Sequence, residues 1–254
     1  MKLSIFGATG FIGKNFCKQF PEHIQIPRDT KSPKTNNILY FISTAHNYNI
    51  YDDLTLDVET NINLLCEILK NCKQKDLVFN YISTMHVYGI QKEFPISETS
   101  ICYPEGMYPI TKKCAEDILI TFCKKFNVNY RILRLCNVLG FDSNFSPKKN
   151  ALTWMINQIK KGQDIDLFYG GNFFREVMHV KDVCNAILLI CTKGKTNEIY
   201  NVGSGEALTL KDLMETSKKI LNSKSKINIK HKLPKNSETL ETSFWLNTSK
   251  LNSL

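Results

Sequence analysis

The sequence predicts an α/β fold: a doubly wound parallel sheet covered by helices, with a smaller C-terminal lobe. Three observations predict it. Strand and helix signals alternate from the first residues, as a parallel sheet with crossover helices requires. A glycine-rich turn, Gly7-Ala8-Thr9-Gly10-Phe11-Ile12-Gly13, directly follows the first apolar run and opens the first helical one. The length, 254 residues, suits one large α/β domain or a core carrying a smaller lobe.

Residues 2–6 read as a buried strand, 11–20 as a helix, 23–26 as a short second strand and 38–43 as a strongly apolar third. A helix over 56–72 is predicted by Val58, Ile62, Leu65 and Leu69, apolar in steps of three and four. A strand at 77–82 precedes the clearest helix, 108–126, where Ile110, Cys114, Ile118, Phe122 and Phe126 recur every four residues as one apolar stripe. Residues 129–135 form the next strand. Beyond Gly140 the pattern loosens into a helix at 152–160, a strand near 177, a helix at 183–191, a strand at 199–202 and a helix at 210–221. The 183–202 unit is expected to return to the main sheet. The expected division is a core of residues 1–140 plus about 179–204, and a lobe of about 141–178 and 205–254. Only about a dozen residues, rich in Pro, Lys, Asp and Asn, separate the second strand from the third. A full doubly wound half places another helix and strand there, so the second-strand region is shortened.

Composition is that of an ordinary globular chain, with 43% hydrophobic and 22% charged residues and no low-complexity run. The opening MKLSIFGATG does not continue as a signal peptide, and no apolar stretch is long enough to span a bilayer. A cytoplasmic protein without membrane insertion is expected. Nine cysteines are scattered without a CxxC pair or a histidine at zinc-ligand spacing, which predicts reduced thiols and no metal. The net charge of +9 comes from dispersed lysines with no nucleic-acid motif. It predicts attraction for anionic small molecules and no nucleic-acid partner.

The chemistry of the glycine turn is specific. A tight turn, the approach of a pyrophosphate to backbone N–H groups, and close packing of helix on strand each demand a glycine. In its strand-to-helix context the turn predicts a Rossmann-type dinucleotide site formed by Gly7, Thr9, Gly10, Phe11, Ile12 and Gly13. After the second strand comes Ile26-Pro27-Arg28-Asp29. A basic residue there suits a 2′-phosphate and an acidic one the free ribose hydroxyls, so Arg28 favours NADP while Asp29 keeps NAD open.

Tyr108 and Lys112 stand four apart at the start of the clearest helix and share a face. They follow Tyr81-Ile82-Ser83-Thr84-Met85-His86-Val87-Tyr88-Gly89, where an apolar strand ends in two hydroxyl residues at the ligand-binding edge of such a sheet. A carbonyl that accepts hydride must also receive a proton, and a phenol with a pKa of about 10 exchanges poorly at neutral pH unless a cation lowers it. Lys112 is expected to supply that cation, and Thr84 a hydrogen bond to the reacting oxygen.

The GATGFIG turn, the STMHVYG and YPITK segments, Arg134-Leu135-Cys136-Asn137-Val138-Leu139-Gly140, Arg175-Glu176-Val177-Met178-His179-Val180-Lys181-Asp182-Val183 and Tyr200-Asn201-Val202-Gly203-Ser204-Gly205 occur in the order seen in another group of proteins. Together, and with the late LNTSKLNSL, they make the sequence resemble the extended short-chain dehydrogenases/reductases of the nucleotide-sugar-modifying, epimerase/dehydratase type. The resemblance implies Tyr108 as acid/base, Lys112 as its pKa partner and ribose contact, and Thr84 at the reacting oxygen. It further implies Asn137 and Arg175 as contacts to a nucleotide-sugar substrate, Arg175 on the diphosphate, and a homodimer built through the helices that begin near Leu56 and Tyr108. One departure is Asp57, where many members have asparagine. Another is the early end of the chain after the LNTSK segment.

His86 holds a position resembling that of an auxiliary acid/base in related dehydratases and epimerase-reductases. An imidazole there either shuttles a proton beside a ketone or shapes the sugar pocket. Met85 cannot donate a proton, which disfavours dehydration. His179 reads as structural, turning the chain into the next helix, while His23, His46 and His231 belong to no constellation. The leading expectation is NADPH-dependent reduction of a nucleotide-linked keto sugar, a 4-keto-6-deoxyhexose. The alternatives are an NAD-dependent nucleotide-sugar 4-epimerase and, from another class, a non-catalytic dinucleotide-binding protein.

Overall fold

The computed structural model describes residues 1–44, 52–140, 151–230 and 243–254; His46 and His231 lie outside them. The chain begins with β1 (Ser4–Phe6), α1 (Phe11–Gln19), β2 (Ile24–Gln25) and β3 (Asn37–Tyr40). Then come α2 (Leu56–Val58), a π-helical turn at Glu59–Asn63 and α3 (Leu64–Leu69), which together fill the span predicted as one helix. β4 (Val78–Thr84), α4 (Met107–Phe126) and β5 (Asn129–Leu135) follow. The later part holds β6 (Asn137–Leu139), α5 (Ala151–Lys160), β7 (Ile165–Phe168), β8 (Phe174–Arg175), β9 (Val177–His179), α6 (Val180–Lys193) and β10 (Glu198–Val202). It closes with β11 (Leu208–Thr209), α7 (Leu210–Ile220), β12 (Ile227–Lys230) and α8 (Ser249–Asn252).

Six strands form one parallel sheet in the order β10-β5-β4-β3-β1-β2. Alternate residues of each strand enter opposite layers, as the pleat dictates. Ile5, Leu39, Leu133 and Leu135 pack with Phe16 of α1 and with Val183 and Ile187 of α6. Phe6, Ile38, Tyr40 and Ile132 pack with Leu65 and Ile68 of α3 and with Leu119 of α4. Burial on both faces explains the near-continuous apolar runs in the sequence. Strand order reverses between β1 and β3, so the crevice at the carboxyl ends of those two strands is where this topology takes a ligand.

The shortened second-strand region leaves the two-residue β2 at the edge of the sheet, with no helix between β2 and β3. The buried Ser4 hydroxyl accepts hydrogen bonds from Lys34 N and Thr35 N, both at 2.9 Å, and so fastens the short connection to β1. As expected, β10 returns to the sheet beside β5. Leu152, Ile159, Leu167, Leu213 and Met214 form a separate core for α5, β7 and α7. The end of the chain leaves that lobe: Leu251 of α8 lies in the core between the sheet and α1, and Lys250 Nζ bonds Glu198 and the Ile199 carbonyl.

The stripe on α4 does not face the sheet. Pro109, Thr111, Lys112, Ala115, Glu116, Leu119 and Cys123 are the buried residues, whereas Ile110 is 47% and Phe126 41% exposed. What holds α4 down is polar as well as apolar. Glu116 pairs with Arg134 of β5 at 2.6 Å and accepts from Ser83 Oγ at 2.5 Å, all three buried. Removing one member of such a pair strands a buried charge, at a cost of about 3–5 kcal/mol.

Candidate active site

Gly7 leaves β1 with φ +80°, and a Cβ there would sit 2.8 Å from Ile42 N beyond β3. A Cβ on Gly13 would lie 2.3 Å from the Gly7 carbonyl oxygen, so α1 can start this close to β1 only as glycine. Gly10 is the N-cap of α1 and supplies no side-chain cap, and the first turn carries no acid. The helix therefore presents its N–H groups and positive dipole end through an exposed turn, Thr9 and Gly10, flanked by half-buried Phe11 and Ile12. This arrangement fits a dinucleotide pyrophosphate. Arg28 stands exposed in the turn after β2, without a hydrogen bond or ion pair among the described residues.

Thr84 ends β4, and its hydroxyl accepts from His86 N at 3.3 Å, capping a single 3₁₀ turn at Met85–Tyr88. Tyr108 lies in the first turn of α4, behind Gly106 at φ +88°. The structure brings Tyr108, Thr84 and Ser43 together: both hydroxyls face the phenol and favour its ionisation, while Asp57 opposes it. Burial outweighs them, and the phenol is pushed above its ordinary value. Lys112 is 1% exposed, donates from Nζ to the Ile82 carbonyl at 2.7 Å and lies 4.1 Å from the centre of the Tyr81 ring. Burial pushes its ammonium down to about 7, against the pull of Glu116. The expectation of a phenol lowered by Lys112 includes the charge of a bound dinucleotide; in the protein alone burial dominates. The same loss of water acts on both groups, and each shifts toward its neutral form.

His86 and Arg175 are neighbours. Burial, then the Arg175 charge, push the imidazole down to about 4, so it is neutral at neutral pH, and its ring packs 6.3 Å from that of Phe244. Arg175 donates to the Phe174 carbonyl at 3.0 Å and stacks 4.4 Å over Phe173, burial lowering its pKa to about 10. Asn137 donates to the Glu176 carbonyl at 2.9 Å, which ties β6 to the residue after Arg175. His179 caps α6 through Nδ1, which accepts from Lys181 N at 3.3 Å, the structural part read from its motif.

Sequence reasoning missed Ser43, Phe244 and the buried Glu176. Ser43 was findable, because it ends an apolar run at the ligand-binding edge. Glu176 accepts from Gly205 N at 2.6 Å and Leu246 N at 2.9 Å, joining three distant segments behind Arg175, and no local spacing announces that. Among the described residues no cluster could hold a metal, no helix is long and apolar enough to cross a membrane, and the nine cysteines are free.

A six-stranded parallel sheet with an open glycine turn at its reversal point defines an α/β protein of the doubly wound class. Residues 38–203 match the model of the NAD dependent epimerase/dehydratase family, and the chain belongs to that family. The dTDP-4-dehydro-6-deoxyglucose reductase of Escherichia coli is 28% identical over 179 residues, 70% of this chain and 56% of that protein. The ADP-L-glycero-D-manno-heptose-6-epimerase of Brachyspira hyodysenteriae is 26% identical over 172 residues, 66% of this chain and 54% of that protein. The chain thus spans just over half the length of these relatives. The UDP-glucose 4-epimerase of Thermotoga maritima, solved with UDP-glucose, superposes with a TM-score of 0.87 at 20% identity, covering 100% of this chain and 92% of that one. Other structures of this fold hold NADPH or NAD.

Proposed function

We propose that the protein reduces the ketone of a nucleotide-linked 4-keto-6-deoxyhexose with NADPH. The single observation that carries this reading is the Tyr108–Thr84–Ser43 cluster beside an open dinucleotide turn, with the phenol held protonated. When bound, NADPH would supply the hydride for the new C–H bond and would leave as NADP. Thr84 orients the carbonyl oxygen, and Tyr108 Oη gives that oxygen its proton as the C=O pair becomes O–H; solvent restores the phenol. Gly7, Thr9, Gly10, Phe11, Ile12 and Gly13 would hold the dinucleotide's pyrophosphate, Lys112 would exchange its bond to the Ile82 carbonyl for one to the ribose, and Arg28 would serve the 2′-phosphate. Arg175 takes the substrate diphosphate through its planar fork, and Asn137 and His86 shape the sugar pocket. In this reading residues 1–140 and about 179–204 carry the dinucleotide, and the rest of the chain apart from α8 grips the nucleotide sugar.

The purified protein is expected to consume NADPH stoichiometrically with a nucleotide-4-keto-6-deoxy sugar, and faster than NADH. Inversion at the sugar C4 without net consumption would establish the epimerase in its place. A homodimer is part of the proposal. Ile110, Cys114, Ile118 and Phe122 line an open groove of about 690 Å³ on the outer side of α4, an apolar face fit for a second copy of the same helix.

A further inference from the structure

Asp57 is 1% exposed, at the point where α2 begins. Its Oδ1 accepts from Thr44 Oγ1 at 2.5 Å. Asn61, inside the π-turn, accepts from Thr44 N at 3.1 Å and donates to Thr44 Oγ1 at 3.2 Å and Thr111 Oγ1 at 3.0 Å. Thr111 in turn donates to the carbonyls of Met107 at 2.9 Å and Tyr108 at 3.0 Å. A continuous run of hydrogen bonds therefore leads from the Asp57 carboxylate to the backbone turn that carries Tyr108. It also passes through Thr44, next to the Ser43 hydroxyl that faces the phenol.

We propose that Asp57 is a positioning residue for the Tyr108 proton: through Thr44, Asn61 and Thr111 its buried carboxylate is tied to the turn that carries the phenol and sets a negative charge behind it, so that the site is poised to donate a proton rather than to take one. The inference rests on the acid role proposed for Tyr108. An asparagine could accept the same Thr44 hydrogen bond through its amide oxygen, so the carboxylate adds negative charge and a second acceptor oxygen where the amide has a donor. Among the described residues the groups acting on the phenol come from four elements. Ser43 stands three residues beyond β3 and Thr84 at the end of β4, and both favour phenolate. Tyr81 of β4 is a neutral phenol whose ionisation Tyr108 opposes, and on α4 Lys112 is occupied by the Ile82 carbonyl while Glu116 is neutralised by Arg134. Asp57 is the acidic group of the set that acts directly on Tyr108. The order of events follows. An epimerase begins by withdrawing the hydroxyl proton of its substrate and needs a phenolate at the start, whereas a reductase needs the phenol, which Asp57 maintains.

The test is an alkaline titration of tyrosinate absorbance, with the Tyr108 component isolated by subtracting Tyr108→Phe in the wild-type and Asp57→Asn backgrounds. The Tyr108 midpoint is expected to fall by about one pH unit in Asp57→Asn, as removal of a nearby like charge dictates. The alkaline limb of kcat/KM for ketone reduction should move down with it. A Tyr108 difference curve that coincides with the wild-type curve, or lies above it, overturns the proposal. Asp57→Ser carries the same comparison if the asparagine variant does not fold. Failure of the catalytic reading is separable, because full turnover by Tyr108→Phe would remove it whatever the absorbance titration shows.

Discussion

Tyr108 and Lys112 are deprived of water together, and the consequences for the two are opposite in sign: the phenol rises and the ammonium falls to about 7. Turnover should vanish in Tyr108→Phe while dinucleotide affinity, read by fluorescence titration, stays within a few-fold, since only the acid is lost. Lys112 makes a second prediction, on stability. Its folded value lies below its ordinary 10.5, so the unfolded chain holds this proton more tightly. The contribution of the group to stability therefore increases as pH rises from about 7 to 10.5, and is lost as pH falls back to about 7. Lys112→Met should remove that slope, seen as a smaller rise in denaturation midpoint over this range than in wild type. At this scale the spacing of Tyr108 and Lys112 and the strand end at Thr84 were legible, because a helical repeat and a motif order are local patterns. The direction of the phenol shift was not, because it depends on how deeply distant walls bury the ring.

Among the elements, α4 shows where periodicity misleads. A four-residue apolar repeat announces a helix face, but it does not say what that face meets. Here the face toward the sheet is built from Thr111, Lys112, Ala115, Glu116 and Leu119, its polar members satisfied by Ser83, Arg134 and backbone, while the apolar repeat flanks the core and opens outward. If the outward stripe joins two copies, Ile118→Glu should convert the dimer to a folded monomer in sedimentation velocity, with the melting of the sheet itself little changed. The last helix was legible only as a motif. Its work is to cover β10 and to place Leu251 in the core, and Leu251→Ala should cost about 2–5 kcal/mol in denaturant unfolding, as for other buried leucines. The π-turn before α3 left no mark in the apolar spacing, since Leu65 and Leu69 keep the same stride beyond it.

At the scale of the whole molecule, the parallel sheet could be anticipated because alternation of strand and helix patterns leaves few topologies, and the dearth of sequence between the second and third strands correctly announced a missing unit. What could not be anticipated is the joining of remote pieces behind the site, as Glu176 does for Gly205 and Leu246, because long-range pairing has no period. The truncated rim beyond β2 has one further consequence. If the dinucleotide binds as proposed, with its adenosine end beside the two-residue β2, it has little protein to detain it, and should exchange freely with the surrounding pool. Protein passed through a desalting column is then expected to emerge with no nicotinamide absorbance, and to regain activity as soon as fresh coenzyme is added.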